Sequence, residues 1–135
     1  CMSVPMELAR ILIRETNDSH IVELREVDGE RIFPIVIGLY EAAAIERRVM
    51  GEQPIRPQTH ELLASVIDAL GAQLDRIEIT DLQDNTFYAE LVLVDADGGE
   101  IRVDSRPSDA IALAVKDDVP FRVAEHVLDE VTRGG

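Results

Sequence analysis

A chain of 135 residues with 46% apolar side chains can bury its own core, and its single Cys excludes an internal disulfide or a thiolate metal cluster. A formal net charge of −14, from 13 basic and 27 acidic residues, excludes passive tracking of nucleic acid over a broad basic surface. Such binders use roughly 6–10 Lys or Arg contacts to phosphate. Any polyanion must be held here by a local basic spot or by metal ions; otherwise the acidity serves solubility.

Cys1 precedes Met2, which looks like an initiator methionine, so Cys1 is read as an added residue and set aside. Glu7 and Arg10 interrupt the early apolar run, which excludes a signal-peptide pattern, and no stretch reaches the roughly 18 apolar residues of a membrane span. The cytoplasm is the expected location. Met6 to Glu15 reads as a strand and Asn17-Asp18-Ser19 as a turn. His20 to Val27 alternates as a second strand, and Asp28-Gly29 is a two-residue hairpin signal leading to a third, Arg31 to Ile37. Pro34 places that third strand at a sheet edge or a bulge, because proline donates no ladder hydrogen bond.

Leu39 to Met50 reads as a helix ended by Gly51, with Glu46, Arg47 and Arg48 on a solvated face. After a turn-rich stretch with Pro54 and Pro57, Thr59 is the expected N-cap of a helix running to Leu70. Leu62, Leu63, Val66, Ile67 and Leu70 give it an amphipathic stripe. Leu74 to Leu82, Thr86 to Val94 and Glu100 to Asp104 follow as strands joined by tight turns. Pro107 or Ser108 opens a helix through Lys116, apolar around much of its circumference and so buried. Pro120 to Val123 is a last strand and Glu125 to Thr132 a terminal helix. The expected fold is a single α+β domain, with its core at about residues 6–132. Its mixed, mostly antiparallel sheet has six to seven strands, accompanied by three to four helices.

Two segments carry candidate chemistry. In Thr59-His60-Glu61, a histidine in the first helical turn meets a dipole that disfavours the imidazolium, and a neutral imidazole suits a metal ligand or general base. Glu61 is then a second ligand or an acid–base partner. In Asp104-Ser105-Arg106-Pro107-Ser108-Asp109, a strand gives way to a helix whose free N–H groups and Arg106 make an anion site. Asp104 and Asp109 flank it with oxygens suited to Mg²⁺ or Mn²⁺. Both segments also have a purely architectural reading as helix caps and an internal ion pair. Glu41, in the first turn of its helix, complements the dipole. His20 and His126 lack neighbouring ligand patterns and read as structural or surface residues.

Together the segments resemble the bifunctional nuclease domain family. The resemblance rests on Phe33-Pro34-Ile35-Val36-Ile37-Gly38 with Glu41-Ala42 and Ile45, and on Arg56-Pro57, Thr59-His60 and Leu62. Asp84 with Thr86-Phe87-Tyr88-Ala89, and Arg106-Pro107-Ser108-Asp109 continued through Ala114, complete it. Order and spacing hold from about Ile11 to Val127. The resemblance implies an α/β domain that self-associates and cleaves both DNA and RNA, and Glu41, Thr59, His60, Arg106, Ser108 and Asp109 transfer by position. Glu61 stands where that family usually has aspartate, and Asn85 where it has a turn glycine.

The leading expectation is a metal-dependent phosphodiesterase. Glu41, Glu61, Asp104 and Asp109 would hold one or two Mg²⁺ or Mn²⁺ ions, with His60 as base or extra ligand. Arg106, with Ser108 and Thr59, would bind phosphate. The alternative is a non-catalytic, self-associating module that recognises an anionic ligand or partner, favoured by the acidity and the lack of aromatic stacking residues.

Overall fold

The computed structural model describes residues 3–13, 20–52, 55, 56 and 58–133. Asn17-Asp18-Ser19, the Arg14-Glu15 end of the first expected strand, Pro54 and Pro57 lie outside them. Seven strands form one sheet: β1 (Ser3–Leu12), β2 (His20–Glu26), β3 (Ile32–Ile37), β4 (Gln73–Gln83), β5 (Thr86–Val94), β6 (Glu100–Ser105) and β7 (Phe121–Ala124). Their order is β3-β2-β1-β7-β4-β5-β6. Every neighbouring pair is antiparallel except β4 and β7. The helices are α1 (Leu39–Val49), α2 (Thr59–Ala69), α3 (Pro107–Ala114) and α4 (Glu125–Arg133), with a 3₁₀ turn at Val115–Asp117. The fold is α+β with a mixed sheet, as the alternation and turn residues imply, and none of the helices is long and apolar enough to cross a membrane among the described residues.

Period-two alternation sorts the sheet into two faces. Val22, Leu24, Phe33, Ile35, Ile77, Ile79, Ala89 and Leu91 point to the helices and are buried. The other face carries cross-strand ion pairs, among them Arg25 with Glu7 and Arg102 with Glu90. Against the apolar face lies α3, buried from Ala110 through Ala114, with α1 and α2 packed beside it. Small alanines let that helix sit deep. Pro34 does mark an edge, since β3 ends the sheet.

Two turns separate local signal from tertiary outcome. Asp84-Asn85 joins β4 to β5 with both residues at positive φ (51° and 65°), as a two-residue hairpin requires. Asp28-Gly29 does not make the expected two-residue hairpin. The ladder closes instead where Glu26 N–H meets the Arg31 carbonyl, and Arg31 is clamped there by Glu26, Glu125 and Asp129. That clamp fixes a wider loop than the dipeptide alone would choose.

Candidate functional site

Three helix starts and one helix face build a cleft of about 350 Å³. Tyr40, Ala43, Ala44 and Arg47 line one wall, the i, i+3, i+4, i+7 face of α1. Gln58, Thr59 and His60 at the start of α2 line the other, and Arg106 and Asp109 at the start of α3 close its end. Pro107 at the first position of α3 fixes where that helix begins, so Asp109 falls in its first turn.

Asp109 is the hub. One of its oxygens lies 2.9 Å from His60 Nε2, while Arg106 donates to both, at 2.8 and 3.2 Å. Arg106 also donates to Glu41 at 3.1 Å. Burial works against the Asp109 charge, but the hydrogen bonds from Arg106 and His60 outweigh it and hold its pKa below the usual carboxylate range. An ionised carboxylate only accepts, so Nε2 carries the hydrogen and Nδ1 is the basic nitrogen of His60. His60 is buried at 9% exposure, whereas the Arg106 side chain is 64% exposed at the rim. The carboxylate of Glu41 folds back over Gly38, where any added Cβ would lie 2.5 Å from it. A side chain at position 38 would therefore make the flexible end of Glu41 shift beside its contact with Arg106.

The structure brings Glu41, Thr59, His60, Arg106 and Asp109 to one cleft. Ser108 is buried and borders a neighbouring cleft on the far side of Arg106. Glu61 and Asp104 do not reach the first cleft. Glu61 accepts from the buried Arg48 at 2.8 Å and from the Gln58 amide at 3.3 Å, completing a capping interaction. Gln58, not Thr59, is the N-cap. Asp104 lies opposite Glu90 in the ladder, on the strand face of Arg102 and Glu100. The carboxylates as placed do not fit the one- or two-ion Mg²⁺ or Mn²⁺ site expected of them. Those in the cleft are bonded to Arg106, and among the described residues no three His, Cys, Asp or Glu side chains group as metal ligands.

Two arginines of α1 lie elsewhere than on the solvated face expected of them. Arg48 is not on a solvated face. It is buried, donates Nε–H to the Ala112 carbonyl, and ties α1 to both α2 and α3. Arg47 borders the cleft, and its buried Nε has no hydrogen-bond partner among the described residues. Helical period was the available signal: Arg48 follows Ala44 and Ile45 by four and three residues, and Arg47 follows Tyr40 by seven.

The chain matches the bifunctional nuclease domain over residues 22–133. It is 42% identical over 118 residues to an uncharacterised protein of Mycobacterium tuberculosis, covering 87% of this chain and 70% of that protein. Bifunctional nuclease 2 of Oryza sativa subsp. japonica is 29% identical over 114 residues, 82% of this chain and 35% of the plant protein. Bifunctional nuclease 2 of Arabidopsis thaliana is 26% identical over 109 residues, 78% of this chain and 33% of its own length.

Proposed function

Since the chain belongs to the bifunctional nuclease domain family, we propose that it hydrolyses phosphodiester bonds of DNA and RNA in the cleft where His60, Asp109, Arg106 and Arg47 meet. The observation that carries this reading is the continuous chain from Arg106 through Asp109 to His60, beside Arg47, whose Nε has no hydrogen-bond partner among the described residues. Asp109 orients the imidazole and fixes its tautomer, and the ring is then poised to accept a proton. Arg106 and Arg47 supply, at one point, the positive charge that the chain lacks as a whole.

In the reaction, His60 Nδ1 takes a proton from the attacking water as its oxygen bonds to phosphorus. The bond from phosphorus to the departing sugar oxygen breaks, and that oxygen draws a proton from solvent. The imidazolium afterwards returns its own proton to solvent, so the enzyme is regenerated. The two guanidinium groups neutralise charge on the non-bridging oxygens, and Glu41 keeps Arg106 at the rim.

A non-catalytic, self-associating module is the second reading. It is favoured by the exposed Leu62 and Val66 of α2 and Leu70 at its C-cap, spaced one turn apart, and by the internal ion pairs that already engage Arg106. Cleavage of labelled single-stranded DNA and RNA by wild type and by His60→Gln separates the two. Loss of a positioned base costs about 10²–10⁴-fold if the first reading holds; absence of cleavage by wild type favours the second.

A further inference from the structure

The Glu41–Arg106 bridge divides two clefts rather than closing one. Both residues also border a second cleft, of about 320 Å³, on the other side of the ion pair. That volume lies at the small end of the roughly 300–1,000 Å³ of pockets that take small ligands. Its apolar part comes from Ile35, Ile37 and Phe87, and its polar part from Asn85, Thr86 and Ser108.

Resting on the phosphodiesterase reading, we propose that this second cleft seats the nucleobase next to the cleaved phosphate, so that the nucleotide straddles Arg106. Three observations converge on it. Phe87 is one of only three phenylalanines in the chain. Its ring is held against Phe33 at 5.7 Å between centroids, which presents a fixed aromatic at the cleft. Bases stack on such rings with little regard to sequence, which suits a nuclease acting on both DNA and RNA. Asn85 occupies the β4–β5 turn at φ 65°, a conformation most side chains avoid. It offers there an amide that can both donate to and accept from a base edge. Finally, a net charge of −14 denies the substrate a long electrostatic track. Affinity must then come from short-range contacts to one phosphate and an adjoining base.

The test compares inorganic phosphate, ribose 5-phosphate and nucleoside monophosphates in NMR titrations of wild type and Asn85→Gly. Glycine is at ease at positive φ, so this variant keeps the turn and the fold. Wild type is expected to bind nucleoside monophosphates about tenfold or more tighter than ribose 5-phosphate, the gain of one stacked base. In Asn85→Gly that ratio falls about three- to tenfold, the loss of one hydrogen bond. Thr86→Val, at the first residue of β5, lowers it in the same direction. Equal affinity of wild type for nucleotide and ribose phosphate overturns the base site and leaves the phosphodiesterase reading standing. A ratio untouched by both variants overturns the placement of the base in this cleft. Failure of wild type to bind phosphate in any of the three forms overturns both proposals.

Discussion

Replacing Arg48 with alanine removes a buried side chain that ties α1 to both α2 and α3. Arg48 is 4% exposed and bonds Glu61 at 2.8 Å, and the Glu61 side chain is itself only 16% exposed. Breaking a buried pair by deleting one partner costs about 3–5 kcal/mol, because the other charge is left without compensation. Glu61 keeps its bond from the Gln58 amide and some contact with water, which places the expected cost near the lower bound, about 3 kcal/mol. For a domain of this size that is roughly a 10 °C fall in Tm. Burial raises the Glu61 pKa, but the hydrogen bonds from Arg48 and the Gln58 amide outweigh it, and the net direction is downward. A depressed folded pKa stabilises above the unfolded value of about 4.3 and loses that contribution as pH falls through the folded value. Wild-type stability should therefore lose this contribution below about pH 4, and Arg48→Ala should show a shallower acid limb. Urea unfolding at pH 7 and across pH 3–5 reads both effects. The double variant Arg48→Met with Glu61→Leu should recover much of the loss, since no charge remains buried alone. A single-variant cost under about 1 kcal/mol, or a double variant no better than the single, refutes the reasoning.

Three further outcomes follow from the same geometry. Gly38→Ala places a methyl group 2.5 Å from one Glu41 carboxylate oxygen and makes that side chain shift, so it should loosen the bond to Arg106 and lower kcat/KM by up to about tenfold, the scale of one hydrogen bond, with Tm nearly unchanged. Millimolar Mg²⁺ or Mn²⁺ should leave Tm within about 1 °C, because specific binding at 100 times Kd would add about 2.7 kcal/mol. EDTA should leave cleavage intact, and its loss on chelation would restore the ion-dependent expectation. Light scattering at high concentration should give a mass above 15.0 kDa, reduced towards that value by Val66→Glu on the exposed face of α2.

Much of the fold was legible because local and tertiary preferences agree. Alternation in His20–Glu26 and Thr86–Val94, the Pro107 start of α3 and the Asp84-Asn85 turn each specify their element within a few residues. The departures occur where a distant partner decides. The Asp28-Gly29 loop is set by Arg31 reaching α4, some hundred positions along the chain. Thr59 yields the cap position to Gln58, whose amide is met by Glu61. The α2 stripe is wider than the face that packs: Leu63, Ala64 and Ile67 are partly buried, whereas Leu62, Val66 and Leu70 stay exposed. His60, Arg106 and Asp109 were legible as candidates because all three sit at helix starts, and the packing of α2 against α3 brings them together. The fates of Glu61 and Asp104 were not legible, since sequence spacing cannot say that one carboxylate faces a buried arginine and the other lies across the sheet.

The most direct measurement is single-turnover cleavage of labelled single-stranded DNA and RNA by wild type, Arg106→Ala and Arg106→Lys, paired with thermal unfolding. The Arg106 side chain is 64% exposed, so its ion pairs contribute little to stability and Tm should change by only a few degrees. Wild type should cleave both substrates, and Arg106→Ala should be slower by about 100-fold or more, the scale of a lost charge-stabilising donor. Lysine should recover part of the rate, since it restores charge without the bidentate fork. Cleavage by Arg106→Ala at the wild-type rate, or none by wild type, would contradict the account.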